Sequence, residues 1–355
     1  MNVVYVLTET PQPWNASEWR CAIPAKAIQR TGVHEAGLIN LAEFSDGSPR
    51  EKKLCAAADL IVIDRHLFGP VLERVQYWKS QGKTVIVDFD AATQLLPNFI
   101  ANANSNNAHQ MNRLIETKTL PSLATQFKIG LRLVDGATVS TYPLANDWQS
   151  LTNMQVLPDY IDIDKYCQVT ALEHPGTVIG WGGSALQSSG FVESGAAEGL
   201  KIVTEARPEV RVVICGDEQL FEDLPVRDSQ KVFVDDVTNE NWASLLAGFD
   251  IGIAPAFGEY GQRMSGNKVL EYLVMKIPWV ASEGPAYHAY KGYGDIVTNT
   301  PQAWANSLLE RVDHLADYRM QAAGAPFLFG ISHSIDDHVD VFINTYQRII
   351  NKAKA

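Results

Sequence analysis

The hydrophobic positions of this chain gather into short apolar runs separated by longer amphipathic stretches, and the alternation persists along its whole length. In the first half the runs are Val3–Leu7, Gly37–Ile39, Leu60–Ile63, Thr84–Val87, Thr138–Ser140 and Gln155–Leu157. In the second half they are Thr177–Trp181, Val210–Cys215, Lys231–Val234, Asp250–Ala254, Pro278–Ala281 and Asp295–Val297. Several are apolar at every position instead of every second one, as in strands covered on both faces. Helical spacing fills most of the intervals. Examples are Pro70–Gln81, followed by Gly82, and Ser265–Lys276, stopped by Pro278. Strand–helix alternation predicts parallel sheets flanked by helices, an α/β class of doubly wound type.

A length of 355 residues suits two such domains. The irregular stretch 158–176, with its two prolines, separates the two series of runs. The expected organisation is a Rossmann-like domain over 1–160, a second over 161–335, and a helix over 336–355 that closes the chain. That helix is read from the spacing of Val339, Val341, Phe342, Tyr346, Ile349 and Ile350. The Asn-rich stretch 101–110 suits a loop. Open α/β sheets bind ligands outside the carboxyl ends of their strands, so the chemistry is expected in the loops after strands, facing a central cleft.

Composition narrows the classes. Hydrophobic residues at 46% supply two cores and exclude a disordered chain. Lys and Arg number 29 against 41 Asp and Glu, a net charge of −12, which argues against a nucleic-acid partner. The opening MNVVYVLTETPQPW lacks the basic region of a signal peptide, and no window offers the ~18 uncharged apolar residues of a spanning helix. Cys21, Cys55, Cys167 and Cys215 form no C-x-x-C pair and read as free thiols. A cytoplasmic protein without a transmembrane segment is expected.

Two stretches carry candidate chemistry. In Thr177–Ser184 a strand runs into Gly182, Gly183 and Ser184, where glycines let backbone N–H groups approach an anion. In 250–282 a strand ends at Pro255, a polar loop follows, and Ser265 is placed to cap a helix whose first turns carry Lys268 and Glu271. Three residues apart, these two share a helix face. A helix N-terminus with Lys268 and Arg263 suits a diphosphate, and a carboxylate one turn further in suits the vicinal hydroxyls of a ribose. No histidine spacing suggests a metal site, and no nucleophile elbow is present.

The order D-I-G-I-A-P (250–255), a loop, S-x-x-K-x-x-E-Y (265–272) and P-x-V-A-S (278–282) resembles the group 1 glycosyltransferases, retaining sugar-nucleotide-dependent enzymes of GT-B fold. It is most similar to a bacterial and phage subgroup with the S-x-x-K-x-x-E-Y motif. Thr177–Ser184, Leu133–Leu144, Asp59–Arg65 and Gly82–Asp90 resemble further blocks of that subgroup in the same order, and Ser17–Arg20 does so loosely. The chain departs from the pattern at Arg263, which replaces the first glutamate of Glu-x7-Glu, at Tyr260-Gly261 in place of Phe-Asn, at Met264 in place of a lysine, at Gln187 in place of a histidine, and at Asp159 in place of an asparagine.

The resemblance implies a retaining glycosyltransferase with a nucleotide-diphosphate sugar, UDP- or GDP-linked, as donor and no tightly bound cofactor or metal. Glu271 would bind the donor ribose. Lys268 and Arg263, the catalytic pair, would neutralise the diphosphate with the amides of Gly182, Gly183 and Ser184, beside Ser265. The nucleotide base would lie near Val234 and Asp235. Arg20, Arg65, His66, Asp88, Asp90 and His109 would meet the acceptor, a glycan, small molecule or modified macromolecule. The same fold also serves sugar-nucleotide epimerases and hydrolases, non-catalytic binding modules and phage-type DNA-base glucosyltransferases.

Overall fold

The apolar runs form twelve parallel strands in the computed structural model, which describes residues 1–8, 17–90, 121–170 and 173–355. The described residues divide into two compact units between Asp159 and Tyr160, and His338–Ala355 belongs to the first.

The first unit holds β1 (Asn2–Leu7), β2 (Glu35–Asn40), β3 (Leu60–Asp64), β4 (Thr84–Phe89), β5 (Gly136–Val139) and β6 (Met154–Val156) in the order β2-β1-β3-β4-β5-β6. Every residue of β3 and β4 is buried, as the uninterrupted apolar runs require of strands covered on both faces. Helices start where short polar side chains satisfy their first N–H groups. Asn40, Ser48, Ser122 and Thr141 each accept such a bond. The C-terminal helix runs Ile335–Lys354, and Phe342, Tyr346, Ile349 and Ile350 are buried. The Tyr346 hydroxyl lies 3.0 Å from that of Tyr5 on β1. From His338 onward this helix belongs to the first unit.

The second unit holds β7 (Thr177–Gly182), β8 (Val210–Cys215), β9 (Lys231–Val234), β10 (Ile251–Ala254), β11 (Trp279–Ser282) and β12 (Asp295–Val297). Read from β9, the order is β9-β8-β7-β10-β11-β12, the 3-2-1-4-5-6 arrangement of a dinucleotide-binding sheet. Ile179, Trp181, Phe191, Leu200, Ile253 and Trp304 are among the residues of its core. The stretch 158–176, expected to be irregular, contains a short helix, Ile163–Cys167, within this unit. Its buried Tyr166 gives the segment a place in the fold.

Several residues of the 250–282 block serve this framework. Asp250 precedes β10, where its Oδ2 accepts the Val178 N–H at 2.7 Å and its Oδ1 accepts from Arg319. A Cβ on Gly252 would stand 2.7 Å from the ring of Tyr272, whose hydroxyl donates to the Ile253 carbonyl at 3.0 Å. Ser282 Oγ accepts the Ala256 N–H at 2.8 Å and fixes the start of the loop after β10. Replacing Asp250 by alanine orphans a buried N–H and its guanidinium partner, and the expected cost is about 2 kcal/mol. Urea denaturation checks this: the midpoint should fall at unchanged slope.

Candidate functional site

Strand order reverses between β7 and β10, so the loops after these two strands diverge and leave a crevice at their carboxyl ends. The helix Ala185–Glu193 follows β7, and the helix Asn267–Val274 follows β10. They are tied across this point by Lys268 Nζ, which donates to Gln187 Oε1 at 2.9 Å. The helix begins later than its sequence suggests. Gly266 is the N-cap, no side chain caps it, and Ser265 lies before the helix. Gly266 is closely packed: a Cβ there would come within 2.3 Å of Tyr290.

Lys268 and Glu271 are almost wholly buried, at 5% and 2% exposure. Glu271 Oε1 accepts both the Tyr166 hydroxyl at 2.8 Å and the Trp242 indole N–H at 2.9 Å. The Lys268 ammonium lies 5.6 Å from the centre of the Trp181 ring, within reach of its negative face. Burial lowers Lys268 from its ordinary value to about 8, and the Glu271 carboxylate opposes that fall. Burial raises Glu271, opposed by the Tyr166 hydroxyl, then Lys268, then Trp242. A buried, perturbed cation and anion at the carboxyl edge of a doubly wound sheet mark a functional-site candidate.

The glycines have a packing role that their spacing does not reveal. A Cβ on Gly182 would fall 2.3 Å from the Trp242 ring, and one on Gly183 would fall 2.3 Å from Trp181 and 2.5 Å from Gln187 Oε1. Both positions stay bare so that the aromatic rings around Lys268 and Glu271 can close in. The Gly183 N–H is engaged in the sheet, donating to the Cys215 carbonyl at 3.1 Å. Ser184 is the exposed N-cap of the following helix. Val234 pairs with Cys215 at the end of β9, and Asp235 beyond it is exposed.

Arg263 donates to the Glu259 carbonyl at 3.0 Å, within its own turn of chain. Met264, at the position of the subgroup's lysine, is buried and lines a cavity of ≈ 20 Å³ with Gln187, Pro255, Phe257 and Tyr260. That is roughly the room of one water. Tyr166, Trp181 and Trp242 were not anticipated as site residues. The Trp-Gly-Gly sequence was the available signal for Trp181. Nothing near Tyr166 or Trp242 announces a carboxylate 105 and 29 residues away.

In the first unit strand order reverses between β1 and β3. Arg20 donates through Nε and Nη2 to both oxygens of Asp88, at 2.7 and 2.8 Å, and through Nη1 to Asp159 at 2.7 Å. The three side chains are at most 5% exposed. The carboxylate found at the family's usual asparagine is therefore matched by a guanidinium. Arg65 sits at φ 42°, in the left-handed region that non-glycine residues seldom occupy. The Asp88 carbonyl accepts its N–H at 2.7 Å, and its side chain reaches Asp64 and Asp90, each at 3.1 Å. Burial pushes Asp90 up to about 6, against Arg65, and pulls His66 down to about 4. His109 lies outside the described residues.

Two outcomes test this geometry. Labelled-lysine NMR should find Lys268 titrating near 8, and lower still in Glu271→Gln, which removes the charge holding it up. Because burial holds Lys268 below its unfolded value, its contribution to stability improves as pH rises from 8 toward 10.5. Gly182→Ala should cost roughly 1–3 kcal/mol by overpacking against Trp242, read as a drop in melting temperature.

Residues 195–314, within the second unit, match the family model described as glycosyl transferases group 1. Comparison with curated protein sequences gives no match. Among solved structures the chain is similar to the sucrose-phosphate synthase of Thermosynechococcus elongatus, at 10% identity and TM-score 0.63, covering 99% of each chain. It is similar to Anabaena HepE, solved with UDP and glucose, at 11% identity and TM-score 0.62, covering 98% of this chain and 99% of that one. AviGT4, a glycosyltransferase of avilamycin A biosynthesis, aligns at 14% identity and TM-score 0.58 over 99% and 98%. Among the described residues no helix is long and apolar enough to cross a membrane. The chain thus has the GT-B fold of two Rossmann-like domains, and its second unit resembles the group 1 glycosyl transferases across residues 195–314.

Proposed function

We propose that the protein is a glycosyltransferase that binds a nucleotide-diphosphate sugar at the carboxyl edge of the second unit's sheet and transfers the sugar with retention. The observation that carries this reading is the buried Lys268–Glu271 pair where strand order reverses. Both hydrogen bonds to Glu271 fall on Oε1, so Oε2 would serve the ribose hydroxyls. Lys268 would release Gln187 and turn to the diphosphate, helped by Ser184, Ser265 and the opening turn of the helix Ala185–Glu193. Arg263, released from Glu259, would add a second cation. The base would rest near Val234 and Asp235.

In the transfer the anomeric C–O bond to the diphosphate breaks and the acceptor oxygen bonds to the anomeric carbon. The acceptor's proton passes to the departing phosphate oxygen. Charge on that oxygen grows toward the transition state, so a preorganised ammonium contributes most there. No separate general base is required. Arg65, His66 and Asp90 would meet the acceptor, and the Arg20–Asp88 pair would position Arg65 through the Asp88 carbonyl.

A thermal-shift panel of UDP-, GDP-, dTDP- and ADP-sugars should show stabilisation by one nucleotide class, since a ligand of the native state raises its melting point. Glu271→Ala should weaken binding of that donor by ~2–4 kcal/mol in titration calorimetry. Wild-type affinity in the variant would sink the assignment. Lys268→Met should lower kcat more than it raises KM. Conversion of the donor without any acceptor would replace transfer by epimerisation or hydrolysis.

A further inference from the structure

We propose that the first unit carries a second ligand site, a groove along the outer side of β6 that binds a neutral oligosaccharide. It is a wide, shallow and mostly polar depression of about 770 Å³, open to solvent. It lies wholly within the first unit. β6 is the last strand of its sheet among the described residues, so one row of its backbone N–H and C=O groups has no strand partner there.

The chemistry of the lining selects the ligand class. Tyr142, 74% exposed, presents an aromatic face with a hydroxyl at its tip. Such a face packs against the C–H side of a pyranose. Four carboxamides, Asn146, Gln149, Asn153 and Gln155, line the remainder. Each offers both donors and an acceptor, matching hydroxyl groups that also do both. Asn146 and Gln149 are exposed, whereas Asn153 is partly engaged, its Oδ1 accepting from Gln155 at 3.3 Å and from Lys352 at 3.2 Å. Among the described residues no carboxylate lines the groove, and Lys352 is its only charged side chain. An amide-rich wall beside an exposed ring suits an uncharged polyol better than an anion, a cation or an apolar peptide. The site is independent of the donor pocket assigned to the second unit and holds whether or not that pocket transfers sugar.

Titration calorimetry on the full chain with maltohexaose, cellohexaose, mannohexaose and chitohexaose tests the proposal. At least one should bind saturably. Tyr142→Ala and Gln149→Ala should each weaken that binding tenfold or more while keeping the wild-type melting temperature, because both side chains are exposed. Glu271→Ala should bind the oligosaccharide as the wild type does. The proposal is overturned if none of the four binds, if both groove variants bind undiminished, or if UDP competes and Glu271→Ala abolishes binding. Failure of the wild-type protein to bind any nucleotide sugar, with oligosaccharide binding intact, would refute the donor assignment alone.

Discussion

Burying one cation and one anion together on the same helix is the constraint around which the second unit's carboxyl edge is organised. Taking each charge out of water costs several kcal/mol unless other groups compensate. Here Gln187 receives the ammonium of Lys268, and Tyr166 and Trp242 donate to the carboxylate of Glu271. Those partners arrive from three separate stretches of chain, and each sets its own demand. Trp242 needs a bare Gly182, Trp181 and Gln187 need a bare Gly183, and Tyr166 needs a helix where the sequence looks like linker.

Residues that make the 250–282 block recognisable separate into two groups once their contacts are known. Asp250, Gly252, Tyr272 and Ser282 close hydrogen bonds or make room within the framework, and their chemistry is fully used there. Lys268 and Glu271 carry more charge than the fold requires, since apolar residues at buried helix positions would pack at lower cost. The same division runs through the first unit. Arg20, Asp88 and Asp159 neutralise one another inside it, whereas Arg65 keeps a strained backbone beside a carboxylate held near 6. Strain and perturbed ionisation both collect where structure serves something besides stability.

Structures only 10 to 14% identical share this architecture over nearly the whole chain. Sheet order depends on burying apolar runs and on the handedness of strand–helix–strand connections, which many sequences satisfy. Function depends on a few side chains grafted onto that frame. Arg263, Met264 and Gln187 are departures of that second kind. Met264 is buried, an apolar side chain where the motif it resembles has a lysine.

The strands were legible because a strand buried on both faces must be apolar throughout, and each of the twelve runs forms one. The helix carrying Lys268 and Glu271 was legible from spacing, but its start was not. Ser265 has the right chemistry for a cap, yet the N-cap is Gly266, packed so closely against Tyr290 that no side chain fits there. The packing role of the glycines was hidden because a missing side chain looks the same whether the space is left for a phosphate or for an indole. Local pattern determined which segments are strands and helices, because periodicity and burial act over a few residues. Tertiary structure decided which aromatic residues surround the charged pair and which of the other charges cancel, because those partners lie up to 139 residues apart and meet only when the sheets are complete.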